Sequence, residues 1–262
     1  MVHAQECPLS GHAMRHVFSE QVLGKHTVAY FQCAACGLLT TEKPYWLDAA
    51  YQHAIALCDT GVLTRCIHNR CRVEPILARL FGCQGRFLDL GGGYGVLTRL
   101  LRDIGIDCYH VDKYCQNLFA KPFEPGPDFH AQALFAFEVL EHLERPLEFI
   151  RDAFRAYACQ TLIFSTSAYE GPPPDRDWPY YAFSSGQHIT FYQTGTLQTL
   201  AQKLGCRYLA LGKDLHLVTN RPLSRGTRFL LGNRRACRCY GRYVRASRGD
   251  VSLTWDDHLR LR

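Results

Sequence analysis

The sequence predicts an α/β fold, a Rossmann-like doubly wound sheet of mostly parallel strands, preceded by a small zinc-ribbon-like N-terminal module. From residue 86, short apolar strands alternate with segments of helical periodicity, as in successive βαβ units. A glycine-rich turn, GGGYG, joins the first of these strands to its helix. Paired cysteines, rather than long apolar runs, characterise the residues before 46.

The sequence patterns divide the chain into four segments. Residues 1–45 form the zinc-ribbon-like module, and residues 46–80 carry apolar side chains at helical spacing, which predicts two helices that cap the core. Residues 81–220 hold the strand–helix alternation, and residues 221–262 form a basic extension. A chain of 262 residues is long enough to bury a substantial core.

The core segment contains recognisable elements in order. RFLDL predicts the first strand and VLTRLLRDIG the helix after the glycine turn, while DCYHVD, ALFAF and QTLIFSTSA predict further strands. We expect a helix from about Glu138 to Ala158, and another in TGTLQTLAQKLG with Thr194 or Thr196 near its cap. YLALGKDLHLVTN predicts a closing hairpin.

Composition favours a soluble globular protein. Hydrophobic residues make up 47% and charged residues 21% of the chain, and no stretch reaches the ~20 apolar residues that span a bilayer. The start, MVHAQECPLSGHAM, lacks the basic and apolar regions of a secretory signal, so we expect a cytoplasmic location. The 13 cysteines are then expected to be mostly thiols, with a few metal ligands.

The segment DLGGGYG predicts a binding loop for a nucleotide-like cofactor. It places Asp89 at a strand end, followed by Gly91, Gly93 and Gly95, where the backbone can approach a ligand closely. A second acid, Asp112, ends the next strand, where a carboxylate can accept both hydroxyls of an adenosine ribose. No Lys-Ser/Thr pair follows, which excludes a P-loop, and the alternative is an NAD-type turn of GxGxxG spacing.

FLDLGGGYG and YHVDKY resemble the first motif and the ribose-binding acid of the class I S-adenosylmethionine-dependent methyltransferases. The resemblance covers roughly residues 80–220. It implies S-adenosyl-L-methionine as cofactor, with the three alternating glycines lining its methionine side and Asp89 near its amino group.

The segment FAFEVLEHLERP places Glu138, Glu141 and His142 directly after an apolar strand. If a helix begins at Glu138, these three side chains share one face, and SSGQHITFY brings His188 from a facing loop. Two carboxylates and two imidazoles predict a site for Mg²⁺ or another divalent metal. Such a metal lowers the pKa of a hydroxyl nucleophile, while a neutral histidine takes its proton.

FEVLEHL is similar to the corresponding segment of two O-methyltransferase groups, one acting on ubiquinone precursors and one on the 3′-terminal ribose of small RNAs. In both groups the two Glu and the His bind a divalent metal, and the RNA group adds a later His that His188 matches. EVLEHL also occurs in members without metal, where Glu138 touches the cofactor. The alternatives are therefore a metal site, a metal-free base at His142 or His188, and a structural role.

The proline-rich loop YEGPPPDRDWPYYAF follows a strand whose end faces the predicted site. Its Trp178, Tyr180 and Tyr181 offer flat surfaces for a sugar face or a base, and its two aspartates could bind hydroxyls. The alternative is a rigid lid whose aromatic rings pack on the core, and the two interpretations are compatible.

The sequence CAAC has the spacing of a zinc knuckle. The predicted zinc ligands are Cys7, His12, Cys33 and Cys36. His12, or alternatively His16, is needed because Ser10 occupies the position three residues after the first cysteine. The segment CPLSG…YFQCAACGLLTTEKPYWLDAAY resembles the zinc-binding domain that precedes the methyltransferase domain in many bacterial enzymes of sugar and polysaccharide modification, which implies structural Zn²⁺. The alternative is a set of ordinary thiols.

Basic charge is concentrated at the C-terminal end. Residues 221–262 hold eleven arginines and three aspartates, a net charge of +8, whereas the whole chain carries +6. Arginine suits pairing with the phosphates of RNA, of a nucleotide sugar or of a membrane surface. Its alternation with Cys, Tyr and Val also predicts a helix packed on the body of the protein, the interpretation that we favour.

The combined patterns predict a methyltransferase that moves a methyl group from S-adenosylmethionine to a hydroxyl of a sugar or glycan intermediate, a small-molecule or glycan substrate. The runner-up is 2′-O-methylation of RNA ribose, and C- or N-methylation of a modified sugar also stays open. A hypothesis of another class is a non-catalytic module that grips nucleic acid through zinc and arginines. The intact glycine loop and Asp112 argue against it, since a scaffold needs neither.

Overall fold

A computed structural model describes residues 5–51 and 60–262. Residues 1–4 of the predicted N-terminal module and residues 52–59 of the predicted helical cap lie outside the described residues. The strands are β1 (Gln5–Glu6), β2 (Ala13–Val22), β3 (His26–Cys33), β4 (Leu39–Thr41), β5 (Phe87–Leu90), β6 (Cys108–Val111), β7 (Ala133–Ala136), β8 (Thr161–Ser165), β9 (Thr190–Phe191), β10 (Arg207–Ala210) and β11 (Leu215–Thr219). The helices are α1 (Leu47–Ala50), α2 (Val62–Phe81), α3 (Val96–Arg102), α4 (Pro146–Ala156), α5 (Thr194–Lys203), α6 (Arg225–Gly232), α7 (Arg234–Arg248) and α8 (Thr254–Arg260).

The larger sheet has six strands in the order β10-β11-β8-β7-β5-β6. Strands β6, β5, β7 and β8 run parallel, and β11 pairs antiparallel with both β8 and β10. This topology confirms the predicted mostly parallel α/β sheet and the closing hairpin.

Helices cover both faces of this sheet. Helices α2 and α3 pack on one face, against side chains such as Phe87 and Phe135, while α4 and α5 pack on the other, against Leu88 and Leu134. Neighbouring residues of a strand point to opposite faces, so burial of both faces requires the continuous apolar runs seen in the sequence. The sheet is therefore doubly wound.

The helix expected from about Glu138 begins eight residues later. Glu138 has a φ of 55°, in the left-handed region, and residues Leu140–His142 form a single 3₁₀ turn. Helix α4 begins with Pro146 in its first turn. Proline suits that position but disfavours helical backbone in the residue before it, so the chain cannot continue one helix through this point. The predicted sharing of one helix face by Glu138, Glu141 and His142 is therefore wrong.

The smaller sheet is antiparallel, in the order β1-β2-β3-β4-β9. Strand β9 comes from the segment predicted to belong to the core. The two segments also share a hydrophobic cluster, in which Phe18, Tyr30 and Trp46 pack with Tyr181 and Phe191. The described N-terminal residues are thus joined to residues 181–191 by both strand pairing and side-chain packing.

The arginine-rich C-terminal segment folds into helices α6, α7 and α8, which confirms the prediction of helix there. Arg245 and Arg248 of α7 lie 3.3 and 3.4 Å from the carboxylate of Glu74 on α2. Helix α8 is anchored through Asp257, which accepts from the buried Arg102 of α3. In residues 5–51 and 60–262, no helix combines the length and apolar character needed to cross a membrane.

Candidate functional site

The predicted functional residues lie together at one edge of the larger sheet, the edge formed by the carboxyl ends of its parallel strands. The glycine loop follows β5, Asp112 follows β6, Glu138 follows β7 and Thr166 follows β8. These are the carboxyl ends of four parallel strands, where ligands bind in open α/β sheets.

The glycine loop requires glycine for two different reasons. Gly91, Gly93 and Gly95 have φ angles of 66°, 61° and 83°, which L-residues rarely adopt. A Cβ added to Gly91 would lie 2.8 Å from the side chain of Val139, so this glycine lets the loop pack against the turn after β7. A Cβ added to Gly93 would meet no atom within 4 Å, so its backbone is open to a ligand.

Asp112 is fixed against the glycine loop by backbone donors. Its Oδ2 accepts from the Gly93 amide at 2.9 Å, and its Oδ1 accepts from the amides of Tyr114 and Cys115, each at 2.7 Å. Each oxygen of an ionised carboxylate has two lone pairs, so capacity remains for further donors. This placement is the one that binding of a ribose beside the loop would require.

Asp89 lies beneath the loop and is 2% exposed. Burial, and to a lesser degree the negative charge of Asp112, raises the pKa of Asp89 to about 8. A cationic group bound beside this carboxyl would reverse the shift, because an opposite charge favours the ionised form.

Glu138 is held by Ser165 at the end of β8. The Ser165 hydroxyl donates to Glu138 Oε1 at 2.6 Å and accepts from the Glu138 amide at 2.8 Å. A left-handed residue other than glycine costs of the order of 1–3 kcal/mol and persists only where its surroundings enforce it. Ser165 supplies that restraint and turns the Glu138 side chain toward the edge of the sheet.

Glu141, His142 and His188 form a compact cluster beside Glu138. Each offers one ligand atom, and these atoms lie within 4.8 Å of one another. Glu141 is fully buried; its Oε1 accepts from the Tyr180 hydroxyl at 2.8 Å, while its Oε2 has no hydrogen-bond partner in the part of the chain that the structure describes. A buried oxygen without a donor is costly, so this oxygen points to a ligand.

Both imidazole rings are oriented through Nδ1. His142 Nδ1 lies 3.0 Å from the Gln187 carbonyl oxygen and 2.9 Å from the Tyr51 hydroxyl, and His188 Nδ1 lies 2.6 Å from the Tyr180 carbonyl oxygen. A carbonyl only accepts, so Nδ1 carries the proton in each ring and Nε2 is left unprotonated. This is the arrangement that orients a histidine to bind a metal or to take a proton.

Burial controls the charges of the cluster. It lowers the pKa of His142 to about 3, an effect that the neighbouring His188 increases, and it also lowers the pKa of His188. Burial, followed by the charge of Glu138, raises the pKa of Glu141 well above its usual range. Both histidines are therefore neutral near pH 7, as metal binding and general-base catalysis require.

The donor set fits a divalent cation. One carboxylate and two imidazoles each bring a ligand atom to within 4.8 Å of the others, the combination found in two-histidine, one-carboxylate metal sites. The structure brings three of the four predicted ligands together. Glu138 lies outside this group and is engaged with Ser165.

The aromatic loop contributes to the cluster through Tyr180, which sequence reasoning placed on a substrate surface. Its hydroxyl donates to Glu141, and its ring lies 4.7 Å from that of His188. Tyr181 is only 1% exposed and packs in the hydrophobic cluster with Phe18, Tyr30 and Phe191 of the smaller sheet, whereas Trp178 is half-buried against Tyr180. Tyr180 thus orients a site residue, and Tyr181 has no free face for a substrate.

The N-terminal cysteines form a second cluster. The thiols of Cys7, Cys33 and Cys36 lie within 4.8 Å of one another, with Cys7 Sγ 3.6 Å from Cys36 Sγ. The Cys36 thiol, as hydrogen-bond donor, lowers the pKa of Cys7 to about 5. The same contact, together with burial, raises the pKa of Cys36. Three buried thiols this close together fit a thiolate-bound metal such as Zn²⁺.

Ser10 lies beside this cluster, whereas the predicted ligand His12 does not belong to it. The Ser10 hydroxyl lies 3.2 Å from Cys33 Sγ, while His12 is exposed and outside the group. Gly11 and Gly37 have matching φ angles of 76° and 75°, and the amide of each donates to the carbonyl of the first cysteine of its turn at 2.9 Å. CPLSG and CAACG therefore fold as two equivalent turns, a correspondence already visible in the cysteine–glycine spacing.

Similarity to known proteins is found among solved structures and in one family model. No curated protein sequence matches the chain. Among solved structures it is similar to CalO1, a methyltransferase in calicheamicin biosynthesis in its SAH-bound form, with 13% identity over 58% of this chain and 54% of that one and a TM-score of 0.41. It is also similar to the mitomycin 7-O-methyltransferase MmcR (15% identity, 66% and 59% coverage, TM-score 0.44) and to the small RNA methyltransferase HEN1 (17%, 60% and 26%, 0.40).

The chain spans about 54–62% of the length of the first solved structures that it matches. A family model described as a methyltransferase domain matches residues 67–211, more than half of the 262 residues. This match covers the glycine loop, Asp112, Glu138 and the histidine cluster. The chain therefore belongs to the methyltransferase domain family, and its doubly wound, mostly parallel sheet is that of the class I methyltransferase fold.

Proposed function

We propose that the protein methylates a hydroxyl of a sugar or glycan intermediate. The observation that carries this proposal is the clustering of Glu141, His142 and His188, with one ligand atom of each within 4.8 Å of the others, at the edge of the sheet that holds the glycine loop. A hydroxyl is a poor nucleophile until it loses its proton, and a positioned neutral imidazole accepts that proton.

The reaction balances as a direct displacement. The acceptor oxygen forms a bond to the methyl carbon as the carbon–sulfur bond of S-adenosylmethionine breaks, which leaves S-adenosylhomocysteine. The hydroxyl proton passes to Nε2 of His142 or His188. The carbonyls of Gln187 and Tyr180 hold the Nδ1 protons, so each ring presents Nε2 to the acceptor.

A divalent cation such as Mg²⁺ fits the same residues. Glu141, His142 and His188 would hold it, and it would supply Lewis-acid polarisation of the acceptor oxygen. In that case the Tyr180 hydroxyl keeps Glu141 oriented. Chelation should then stop turnover while cofactor binding persists.

Two features support a sugar as the acceptor. Half-buried Trp178 and Tyr180 lie beside the cluster, and aromatic rings suit the apolar face of a sugar. The N-terminal segment also resembles the zinc-binding domain of bacterial sugar-modifying enzymes.

A second candidate acceptor is the 3′-terminal ribose of RNA. The observation that favours it is the position of His188, which joins Glu141 and His142 as in the RNA-methylating group that FEVLEHL resembles. Both candidate acceptors present a sugar hydroxyl, so the same catalytic groups serve either one.

One assay separates the two acceptors. The full chain is incubated with methyl-labelled S-adenosylmethionine and, separately, with nucleotide sugars and with a short RNA, each with and without added Mg²⁺. Label in a nucleotide sugar supports the leading proposal. Label in RNA, together with resistance of its 3′-terminal diol to periodate, supports the second candidate. Transfer to neither acceptor class would contradict both.

Asp112→Ala should weaken cofactor binding by about 100-fold or more. The variant removes a carboxylate whose charge-assisted hydrogen bonds are worth roughly 1.5–3 kcal/mol each, and it frees the Gly93 amide that this carboxylate orients. Calorimetric titration with S-adenosylhomocysteine measures the loss. Asp250→Ala, at an exposed position in the C-terminal segment, is the control. Retained micromolar affinity would refute the assignment of Asp112 to the ribose.

Cofactor binding should release close to one proton per site at pH 7. The raised pKa of Asp89, about 8, leaves its carboxyl mostly protonated before binding, and the cationic amino group of the cofactor lowers that pKa. Release should therefore fade above about pH 9, where Asp89 is already ionised. Titrations in buffers of different ionisation enthalpy measure the proton count. Asp89→Asn should abolish the release, and unchanged release in that variant would contradict this account.

Cys33→Ser should abolish zinc binding and lower the melting temperature. The proposed site is structural, with thiolates from Cys7, Cys33 and Cys36 and with Ser10 at the fourth position. Elemental analysis of the purified chain gives the zinc content, and Cys239→Ser, at an exposed cysteine, is the control. His12→Ala should leave the zinc content unchanged, since His12 lies outside the cluster. An unchanged zinc content in Cys33→Ser would remove the proposed site.

A further inference from the structure

A cavity lies at the edge of the larger sheet opposite the glycine loop. Its volume is about 640 Å³, and its lining includes Gln132 and Thr161, at the amino ends of β7 and β8, and Asn220, which follows the antiparallel β11. Strands of four or five residues separate this edge from the glycine loop by about 15 Å. A molecule in this cavity therefore cannot reach the transferring methyl group, and it leaves the cofactor site free.

The cavity is lined by cations and by no acidic residue. Arg151, Lys203 and Arg221 make no ion pair within the described ranges 5–51 and 60–262. Arg155 pairs only with Asp152, at 3.5 Å between two strongly exposed side chains, an interaction worth little. The chain outside the basic C-terminal extension is nearly neutral overall. A concentration of positive charge in this cavity therefore favours an anionic ligand.

Two of these cations are positioned by the fold. The Arg151 guanidinium of α4 donates to the main-chain carbonyl of Lys203, at the end of α5, at 3.2 Å. Arg221 lies over the ring of Phe81, 4.7 Å from its centre. Because these contacts already restrict the guanidinium groups, less conformational entropy is lost when the groups bind a phosphate.

The floor of the cavity is partly apolar, with Leu204 and Ala158 at its surface and Phe154 and Cys159 buried beneath it. Polar side chains such as Gln132 make up much of the remaining lining. A partly apolar floor bordered by arginine and lysine suits a ring compound that carries phosphate, since the ring covers the apolar surface and the phosphate oxygens accept from the cations. The volume falls within the range of small-molecule sites.

We infer that this cavity, between α4, α5 and the segment that follows β11, binds a phosphorylated ring compound of the nucleotide class. It is a site separate from the cofactor loop and from the Glu141–His142–His188 cluster. The ring rests on Phe154 and Leu204, and Arg151, Lys203 and Arg221 bind the phosphates. Because this binding does not use the catalytic groups, it holds whichever acceptor the enzyme methylates.

The test is calorimetric titration of the full chain with adenosine diphosphate while saturating S-adenosylhomocysteine fills the cofactor loop. We expect submillimolar affinity that weakens as salt is added. The double variant Arg151→Glu/Lys203→Glu should bind at least tenfold more weakly. Arg235→Glu/Arg238→Glu reverses the same number of charges at exposed positions of α7 outside the cavity, and it should leave the affinity unchanged. If the charge-reversal variant misfolds, Arg151→Gln/Lys203→Gln replaces it.

Several results would overturn this site. No binding of adenosine diphosphate, or binding that is lost when S-adenosylhomocysteine is added, would do so. Equal losses of affinity in the two double variants would mean that binding depends only on the net charge of the protein. Inorganic pyrophosphate binding as tightly as adenosine diphosphate would eliminate the role of the apolar floor. Tighter binding of a short single-stranded RNA that depends on the α7 arginines would assign phosphate recognition to the C-terminal helices instead.

Discussion

His188→Asn is expected to lower kcat by about 10²–10⁴-fold, the usual contribution of a general acid–base group, while cofactor affinity stays unchanged. Asparagine can still donate a hydrogen bond from the position of Nδ1 to the Tyr180 carbonyl, but it has no atom at the position of Nε2. The variant therefore keeps the hydrogen bond that orients the loop and removes the unprotonated nitrogen of His188. Steady-state methyl transfer and calorimetric titration with S-adenosylhomocysteine measure the two quantities.

Two further variants identify the cause of this loss of activity. His188→Gln places an amide near the position of Nε2, so it should recover activity with added metal if the nitrogen acts as a ligand, but not if it acts as a base. His16→Asn changes an exposed histidine of β2 and should have no effect. Turnover of His188→Asn within tenfold of the parent would place the proton transfer on His142 alone. If a chelator inhibits the parent and the variants equally, His188 is not a ligand of the metal.

The parts of the fold that were predicted correctly depend on local sequence. The glycine loop, the alternation of strands with helices and the closing hairpin are each specified by residues close together in the chain, through backbone freedom or side-chain periodicity. Gly91 and Gly95 illustrate this, because their positive φ angles are a property of the loop itself. Burial of both sheet faces then follows from strands that are apolar at every position.

The turn after β7 could not be predicted in the same way. EVLEHL has a helical pattern of apolar residues, yet Glu138 takes a left-handed conformation that depends on Ser165, 27 residues later. Tertiary contacts commonly override helix propensity, and no local sequence pattern predicts such contacts. The proline at position 146 was the one available sign that the helix begins later.

The candidate site likewise depends partly on local sequence and partly on contacts between distant segments. Glu141 and His142 were identified from one short segment. His188 joins them because the Ile189 amide donates to the Glu141 carbonyl at 2.8 Å, a contact between segments almost fifty residues apart. The role of Tyr180 was missed, since a tyrosine in a proline-rich loop gives no indication that its hydroxyl meets a buried carboxylate. Ser10 was detectable, because CPLSG and CAACG share their spacing from cysteine to glycine.

Asp257→Ala is expected to lower the free energy of unfolding by about 3–5 kcal/mol, the usual cost of leaving a buried charge without its partner. Arg102 is fully buried, and two of its nitrogens donate to the two Asp257 oxygens at 2.8 and 2.6 Å. Arg99 donates to the same carboxylate at 2.9 Å. The variant leaves Arg102 with Asp107 and a backbone carbonyl as acceptors and detaches α8. The melting temperature should fall by roughly 6–20 °C.

The dependence on pH and a matched control test the cause of this loss. Although burial alone would raise the pKa of Asp257, its hydrogen bonds to Arg102 and Arg99 lower that pKa overall. Its stabilising effect is therefore complete above the usual carboxyl range and is lost as the pH falls through the lowered value, so parent and variant should converge in acid. Asp152→Ala breaks an exposed pair with Arg155 and should change stability by less than about 0.5 kcal/mol. If both variants cost the same, α8 is held by its apolar contacts and not by the buried ion pair.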